Sequence, residues 1–272
     1  MSDYKELIDK MRWSYSRCSA YEQCPYNFFL KYIVDDDDQY LAEGNFYAEV
    51  GGYVHSILQM IFNGELSIDD AADYYVEHFD ENVFYTTRES AMQTTFELCA
   101  NYFAEADFYW LKNFEILGVE KQIETNIDGY PFIGFIDLLL RHKDTGEIYL
   151  IDHKSSAYPF KVDGKSVLKK AENDFKKYKR QMYLYCKAVY EEYGKYPEWI
   201  CWNHFKDQKV AKIPFDINEY NASVEWFVDT IHAIENDCEF RGKCEDESGK
   251  SKEYFYRKNI CEFRSSCEYN ED

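Results

Sequence analysis

The sequence predicts an α/β protein with a mixed central sheet, helices on both sides of it and a mostly helical N-terminal region. Three observations carry that prediction. Residues 132–154 read FIGFIDLLLRHKDTGEIYLIDHK, two apolar runs around Asp144-Thr145-Gly146-Glu147, hence a strand, a tight turn and a strand. Apolar residues recur at helical spacing in 13–32, 46–62 and from 90 onwards. Beyond the hairpin lies a long helical pattern, 175–193, followed by two more strand-like runs, 199–205 and 209–213.

Taken in order, residues 1–11 read as a short polar lead. Ser14 or Ser16 can cap a helix containing Tyr15, Cys18 and Tyr21, and Cys24-Pro25 breaks and restarts it. Four aspartates, 35–38, read as a solvated loop. The stretch 46–62, FYAEVGGYVHSILQMIF, is a helix in which Gly51-Gly52 permits close approach of another backbone. Ser67 caps a helix over 69–82, and a second long helical region covers 90–117, ended by Gly118. A strand over 119–127 places Glu120 and Glu124 on one face, and Asp128-Gly129 turns it into the central hairpin. Residues 161–179 form a loop or lid, Gly194 stops the 175–193 helix, and a last helix covers 218–236.

Composition bounds what such a chain does. With 272 residues, 46% of them hydrophobic, and 26 Tyr and 20 Phe, it buries a large core and is not generally disordered. No apolar run reaches the ~18 residues of a membrane span. The N-terminus is polar and charged, unlike a secretory signal, so nine cysteines read as reduced thiols of a cytoplasmic protein. A net charge of −20 argues against nucleic acid as a partner when taken alone. The charge is uneven, however. Residues 154–180 hold nine Lys/Arg and three Asp/Glu, a basic island of +6 that can support a phosphate backbone.

The chemistry concentrates at the hairpin. Period two puts Asp152 and Lys154 on one side of their strand, and the hairpin brings Asp137 beside them. Two carboxylates and an ammonium at the edge of an apolar sheet are unfavourable unless they share a cation and a substrate. Carboxylate oxygens suit Mg²⁺ or Mn²⁺. Gln181 and Tyr185, four apart, share one face of their helix. The tail holds Cys238, Cys244, Cys261 and Cys267, in two pairs whose spacing is loose for zinc.

These pieces, from SYSRCSAYEQCPYNFFLKY through GGYVHS, GFIDLLL, LIDHKSS and QMYLY to CEFRSSC, resemble the PD-(D/E)XK nucleases of the RecB-like branch over nearly the whole chain. The resemblance implies a restriction-endonuclease-like core over 116–237, a helical N-terminal region over 1–115, and a cysteine-containing tail, 238–272, that closes onto that region. It implies His55, Asp137 and Asp152 as metal ligands, with Glu120 in the place of the family's early strand glutamate. Asp137, Asp152, Lys154, Gln181 and Tyr185 become the catalytic set. Many members of the branch hold a [4Fe–4S] cluster on one early and three late cysteines. Cys24, Cys261 and Cys267 match three of these; Lys258 stands near the fourth place, which Cys244 can fill if 245–257 loop out.

The implied activity is metal-dependent hydrolysis of DNA, single-stranded or with free ends, by an exonuclease. Partner proteins in recombination, repair or CRISPR adaptation are a further expectation of the resemblance. Two other classes remain: a catalytically inactive nuclease-fold module binding nucleic acid or a protein, and an acidic DNA mimic. Divalent-ion-dependent cleavage separates them.

Overall fold

A computed structural model describes residues 2–34, 42–243, 256, 258 and 260–270. The aspartate run 35–38, Cys244 and the polar stretch 246–251 fall outside them.

The chain begins with a helix, not a lead: α1 (Ser2–Asp9) buries Ile8 and sets Tyr4 edge-on to Phe29 at 5.2 Å. Ser14 caps α2 (Tyr15–Gln23), its Oγ accepting from Arg17 N at 3.2 Å. Cys24 is extended, and Pro25 opens α3 (Pro25–Tyr32), where its fixed φ suits a first turn. Then follow α4 (Phe46–Phe62), a 3₁₀ turn capped by Ser67, α5 (Ala71–Glu77) and α6 (Phe79–Asn82), so the helix expected over 69–82 is interrupted at His78. The helix expected over 90–117 stops early. After α7 (Glu89–Glu105) comes a 3₁₀ turn, Tyr109–Asn113, and β1 (Phe114–Ile127) then absorbs Phe114, Ile116 and Gly118. Aromatic and β-branched residues take the extended form when a neighbouring strand is there to pair with.

Asp128 (φ 50°) and Gly129 (φ 93°) make the two-residue left-handed turn into β2 (Tyr130–His142). The hairpin continues to β3 (Ile148–Lys154). Next come α8 (Glu172–Tyr193), ended by left-handed Gly194, then β4 (Trp199–His204), β5 (Lys209–Pro214) and α9 (Ile217–Asn236). Strand order is β1-β2-β3-β4-β5. The β2/β3 and β4/β5 pairs are antiparallel and β3/β4 is parallel, with α8 in the crossover.

Two compact units divide the chain. In the unit of Phe46–Thr125 and Gly134–Ser223, one sheet face buries Leu138, Leu140, Ile151 and Cys201 in a core with Ile57 and Leu58 of α4, Tyr75 of α5 and Phe103 of α7. On the other face the buried Trp202 meets Phe175 of α8 at 4.9 Å. In the unit of Met1–Asn45, Asn126–Ile133 and Val224–Asp272, Trp13 bridges to Phe132, which packs on Phe227 at 5.5 Å. There Cys261 and Phe263 bury with Tyr26 and Leu30. Among the described residues no helix is long and apolar enough to cross a membrane.

Candidate active site

The β2/β3 ladder ends at Leu138↔Ile151. One step further, the Asp137 side chain enters the gap and takes a backbone partner's place: His153 N donates to Asp137 Oδ2 at 2.7 Å. On β3, Asp152 and Lys154 project to the same side, as period two requires, and Lys154 Nζ lies 2.7 Å from Asp152 Oδ2. α8 supplies the next contacts. Lys154 Nζ donates to Gln181 Oε1 at 3.1 Å, and Gln181 Nε2 donates to Tyr185 OH at 3.3 Å. Tyr178, on the same helical face, sets its ring 4.9 Å from Lys154 Nζ.

His55 arrives from α4. Its Nε2–H donates to the His153 carbonyl at 2.9 Å. A carbonyl only accepts, so the proton sits on Nε2 and Nδ1 is left for other work. Nδ1 lies 3.6 Å from Asp137 Oδ2 and 3.9 Å from Glu120 Oε1. One donor atom from each of His55, Glu120 and Asp137 falls within 4.8 Å of the others. This donor set includes Glu120, while Asp152, only 5% exposed at its side chain, faces Lys154.

Glu120 has a φ of 43°, a left-handed conformation unusual for a non-glycine residue within a strand. Glu124 stays exposed and accepts from Gln122 Nε2 at 2.9 Å. Glu120 lies with His55 and Asp137, and Glu124 has no part in that group. Gly51-Gly52 also differs from expectation. A Cβ on Gly51 would come no nearer than 3.9 Å to Ser155 Oγ, and one on Gly52 would meet nothing within 4 Å.

Electrostatics follow from the crowding. Burial, reinforced by Asp152, pushes the Asp137 carboxyl up to about 7, against the pull of His55 and Lys154. Burial works against a charged His55, but Glu120, Asp137 and Asp152 outweigh it and raise the imidazole above its ordinary value. Lys154 is likewise raised, with Asp152 overcoming burial. Burial raises the Tyr185 phenol, so it stays protonated and serves as a hydrogen-bond partner, not a base. Crowding thus makes the ionised Asp137 unfavourable, and a divalent cation would favour the ionised carboxylates.

Two residues with a part in this geometry escape a reading by side-chain chemistry. His153 uses its backbone, N–H to Asp137 and C=O to His55. Gly134 makes room: a Cβ there would lie 2.6 Å from Tyr185 Cε1. A glycine inside a strand is the available signal for such a close approach. Gly134→Ala should displace the Tyr185 ring and lower stability by about 1–3 kcal/mol. Urea unfolding checks this; unchanged stability would mean that the ring has slack.

The cysteines fall elsewhere. Cys24, Cys261 and Cys267 line one small cavity, where Asn27 Nδ2 donates to Cys261 Sγ at 3.7 Å. Cys238 is exposed, and Cys244 is outside the described residues.

The mixed sheet holds carboxylates, a histidine and a lysine at its paired strands, and three of these side chains could together hold a divalent cation. The chain belongs to the PD-(D/E)XK nuclease superfamily, whose sequence profile matches residues 12–269. No curated protein matches it. Among solved structures, a "Putative exonuclease" from Eubacterium rectale is similar, with 16% identity, a TM-score of 0.48, and coverage of 86% of this chain and 85% of that one.

Proposed function

We propose that the chain is a divalent-metal-dependent deoxyribonuclease of the RecB-like branch, an exonuclease acting on DNA that is single-stranded or has free ends. One observation carries the reading: the His55–Glu120–Asp137 donor set sits beside the Asp152–Lys154 pair on elements of one compact unit.

The donors fit Mg²⁺ or Mn²⁺, being carboxylate oxygens with one imidazole nitrogen. His55, Glu120 and Asp137 would hold the ion, with Asp152 adding charge and a fourth donor. When bound, the ion supplies Lewis-acid polarisation of a phosphoryl oxygen and a water of lowered pKa. The His153 carbonyl fixes His55 so that Nδ1 faces the site. Lys154, charged and held by Asp152 and Gln181, stabilises the negative charge on the phosphoryl oxygens. Gln181 and Tyr185 position Lys154 and the strand.

The surroundings support a single strand. Phe135 is 50% exposed and alternates onto the same side of β2 as Asp137; with Tyr178 it offers surfaces on which unpaired bases stack. Of the basic island, Lys169, Lys170 and Lys176 are exposed, whereas Lys179 pairs with Glu219 at 2.6 Å. Replacing those three exposed lysines by glutamine should weaken DNA binding and flatten its salt dependence by roughly one unit of slope per lost phosphate contact. Filter binding across a salt series measures this, and an unmoved slope would put the DNA path elsewhere.

A [4Fe–4S] cluster belongs to the same reading. The three thiols around one cavity fit three of its four ligands, and soft sulfur donors suit iron. The cluster would tie α3 to the tail and takes no part in hydrolysis. Iron and sulfide analysis after anaerobic purification tests it, and a folded, iron-free protein would exclude it. A setting in recombination, repair or CRISPR adaptation rests on the resemblance alone.

The mode of action is tested with labelled linear and closed circular DNA, single- and double-stranded, in Mg²⁺ or Mn²⁺. Loss of label from linear molecules with circles spared supports the exonuclease; nicked circles would make it an endonuclease. The net charge of −20 favours a second reading, an inactive module, and DNA bound but uncut with both ions would support that one.

A further inference from the structure

The glycine pair of α4 has no use within the fold. Gly51 and Gly52 lie in the interior of a 17-residue helix that runs through them unbroken. Apart from proline, glycine is the least favourable residue at such a position. The ordinary reasons for keeping one are absent. Neither residue has a positive φ, and neither stands at a helix end. Neither lets another part of the chain close in. Among the described residues, a Cβ on Gly52 would meet nothing within 4 Å, and one on Gly51 would be in ordinary contact with Ser155 Oγ at 3.9 Å. Gly52 is exposed.

What the pair provides is bare helix backbone beside the active site. Residues three and four apart share a helix face, so both glycines lie on the side of α4 that carries His55. They precede it by one turn, ~5 Å along the axis, which is of the order of one nucleotide step in a DNA strand. Gly51 looks onto Ser155, the residue that follows Lys154 at the end of β3. The Ser155 hydroxyl there can donate to a phosphate oxygen. The bare backbone thus lies between a metal donor and the segment that carries the lysine.

A glycine that serves neither the helix nor its packing is suited to the close approach of a ligand to the backbone. We propose that Gly51 and Gly52 seat the substrate: the sugar–phosphate backbone of the nucleotide next to the scissile bond lies directly against α4 at this pair. The proposal rests on the nuclease reading above and names the part of the protein that such a strand touches next to the metal donors.

Gly52→Ala and Gly52→Leu test it, because both put a good helix former in place of a poor one where there is room for a side chain. Urea unfolding of the full chain in excess EDTA should show a higher midpoint for both variants than for wild type. Single-turnover cleavage of an end-labelled single-stranded oligonucleotide, titrated with protein in Mg²⁺ and in Mn²⁺, should move the other way. The half-saturating protein concentration should rise about threefold in Gly52→Ala and about tenfold or more in Gly52→Leu. A gain in stability joined to a loss in substrate affinity is what a glycine kept for a ligand produces, and a purely structural glycine does not. A lower urea midpoint in Gly52→Ala would assign the residue to the protein's own packing, and unchanged half-saturation in Gly52→Leu would put the strand elsewhere. Either result overturns the proposal and leaves the nuclease reading standing. A wild type that cleaves nothing with either ion removes that reading, and this proposal with it.

Discussion

With the proposed nuclease site, Lys154→Ala should slow DNA cleavage by roughly 10²–10³-fold while Mg²⁺ or Mn²⁺ still binds, because it would remove a charge placed to face the reacting phosphate and no metal donor. Its ammonium is fixed by Asp152 at 2.7 Å and Gln181 at 3.1 Å, so its position is set before substrate arrives. The substitution has a second effect. Asp152 is almost fully buried, and losing its partner leaves a carboxylate uncompensated, at about 3–5 kcal/mol in comparable pairs. In chelator the variant should therefore be markedly less stable, and a divalent ion should restore part of the difference. Lys154→Arg should recover little cleavage, since a planar fork does not put one compact charge in the same place. Single-turnover kinetics with protein in excess, together with unfolding curves with and without ion, check these results. Equal cleavage by wild type and Lys154→Ala would remove the lysine from the mechanism.

Asp137→Asn should abolish cleavage and weaken Mg²⁺ binding by about tenfold or more, yet leave the protein more stable than wild type at neutral pH in chelator. Burial and Asp152 hold the folded-state carboxyl up at about 7, above its ordinary 3.8. A raised acid binds its proton more tightly folded than unfolded. Its contribution is fully present below about pH 4, declines as pH rises towards 7, and is gone above that. Wild type should lose on the order of a few kcal/mol over this window relative to the asparagine variant. Divalent ions act in the opposite sense, because binding must expel the Asp137 proton. Their affinity should fall by up to about tenfold per pH unit for each proton expelled, from Asp137 and His55 in wild type and from His55 alone in the variant, whose slope is therefore shallower. Calorimetry at several pH values measures both. Parallel stability curves for the two proteins would show that Asp137 ionises freely.

Much of this site is legible in the residues because its geometry is local. Asp152 and Lys154 meet by the two-residue period of a strand, and Gln181 and Tyr185 by the four-residue period of a helix. Asp128-Gly129, Pro25 and Gly194 mark boundaries because each suits a backbone conformation found there. What is not legible depends on partners distant in sequence. Phe108, Leu111 and Phe114 have helical spacing, but pairing with β2 draws the chain into a strand from Phe114. α1 is too short for a periodic signal and rests on the burial of Ile8. Glu120 is the instructive case. Alternation puts it with Glu124, whereas its nearness to His55 and Asp137 and its left-handed φ of 43° depend on partners far along the chain.

The most direct measurement is cleavage of an end-labelled single-stranded oligonucleotide by wild type, Lys154→Ala and Asp137→Asn, prepared in parallel, in Mg²⁺, Mn²⁺ or EDTA. A metal-dependent nuclease built on this site degrades the oligonucleotide with either ion and not in EDTA, and both variants leave it essentially intact on the same timescale. An oligonucleotide left whole by wild type with both ions, or cleavage that persists in EDTA or in both variants, contradicts it.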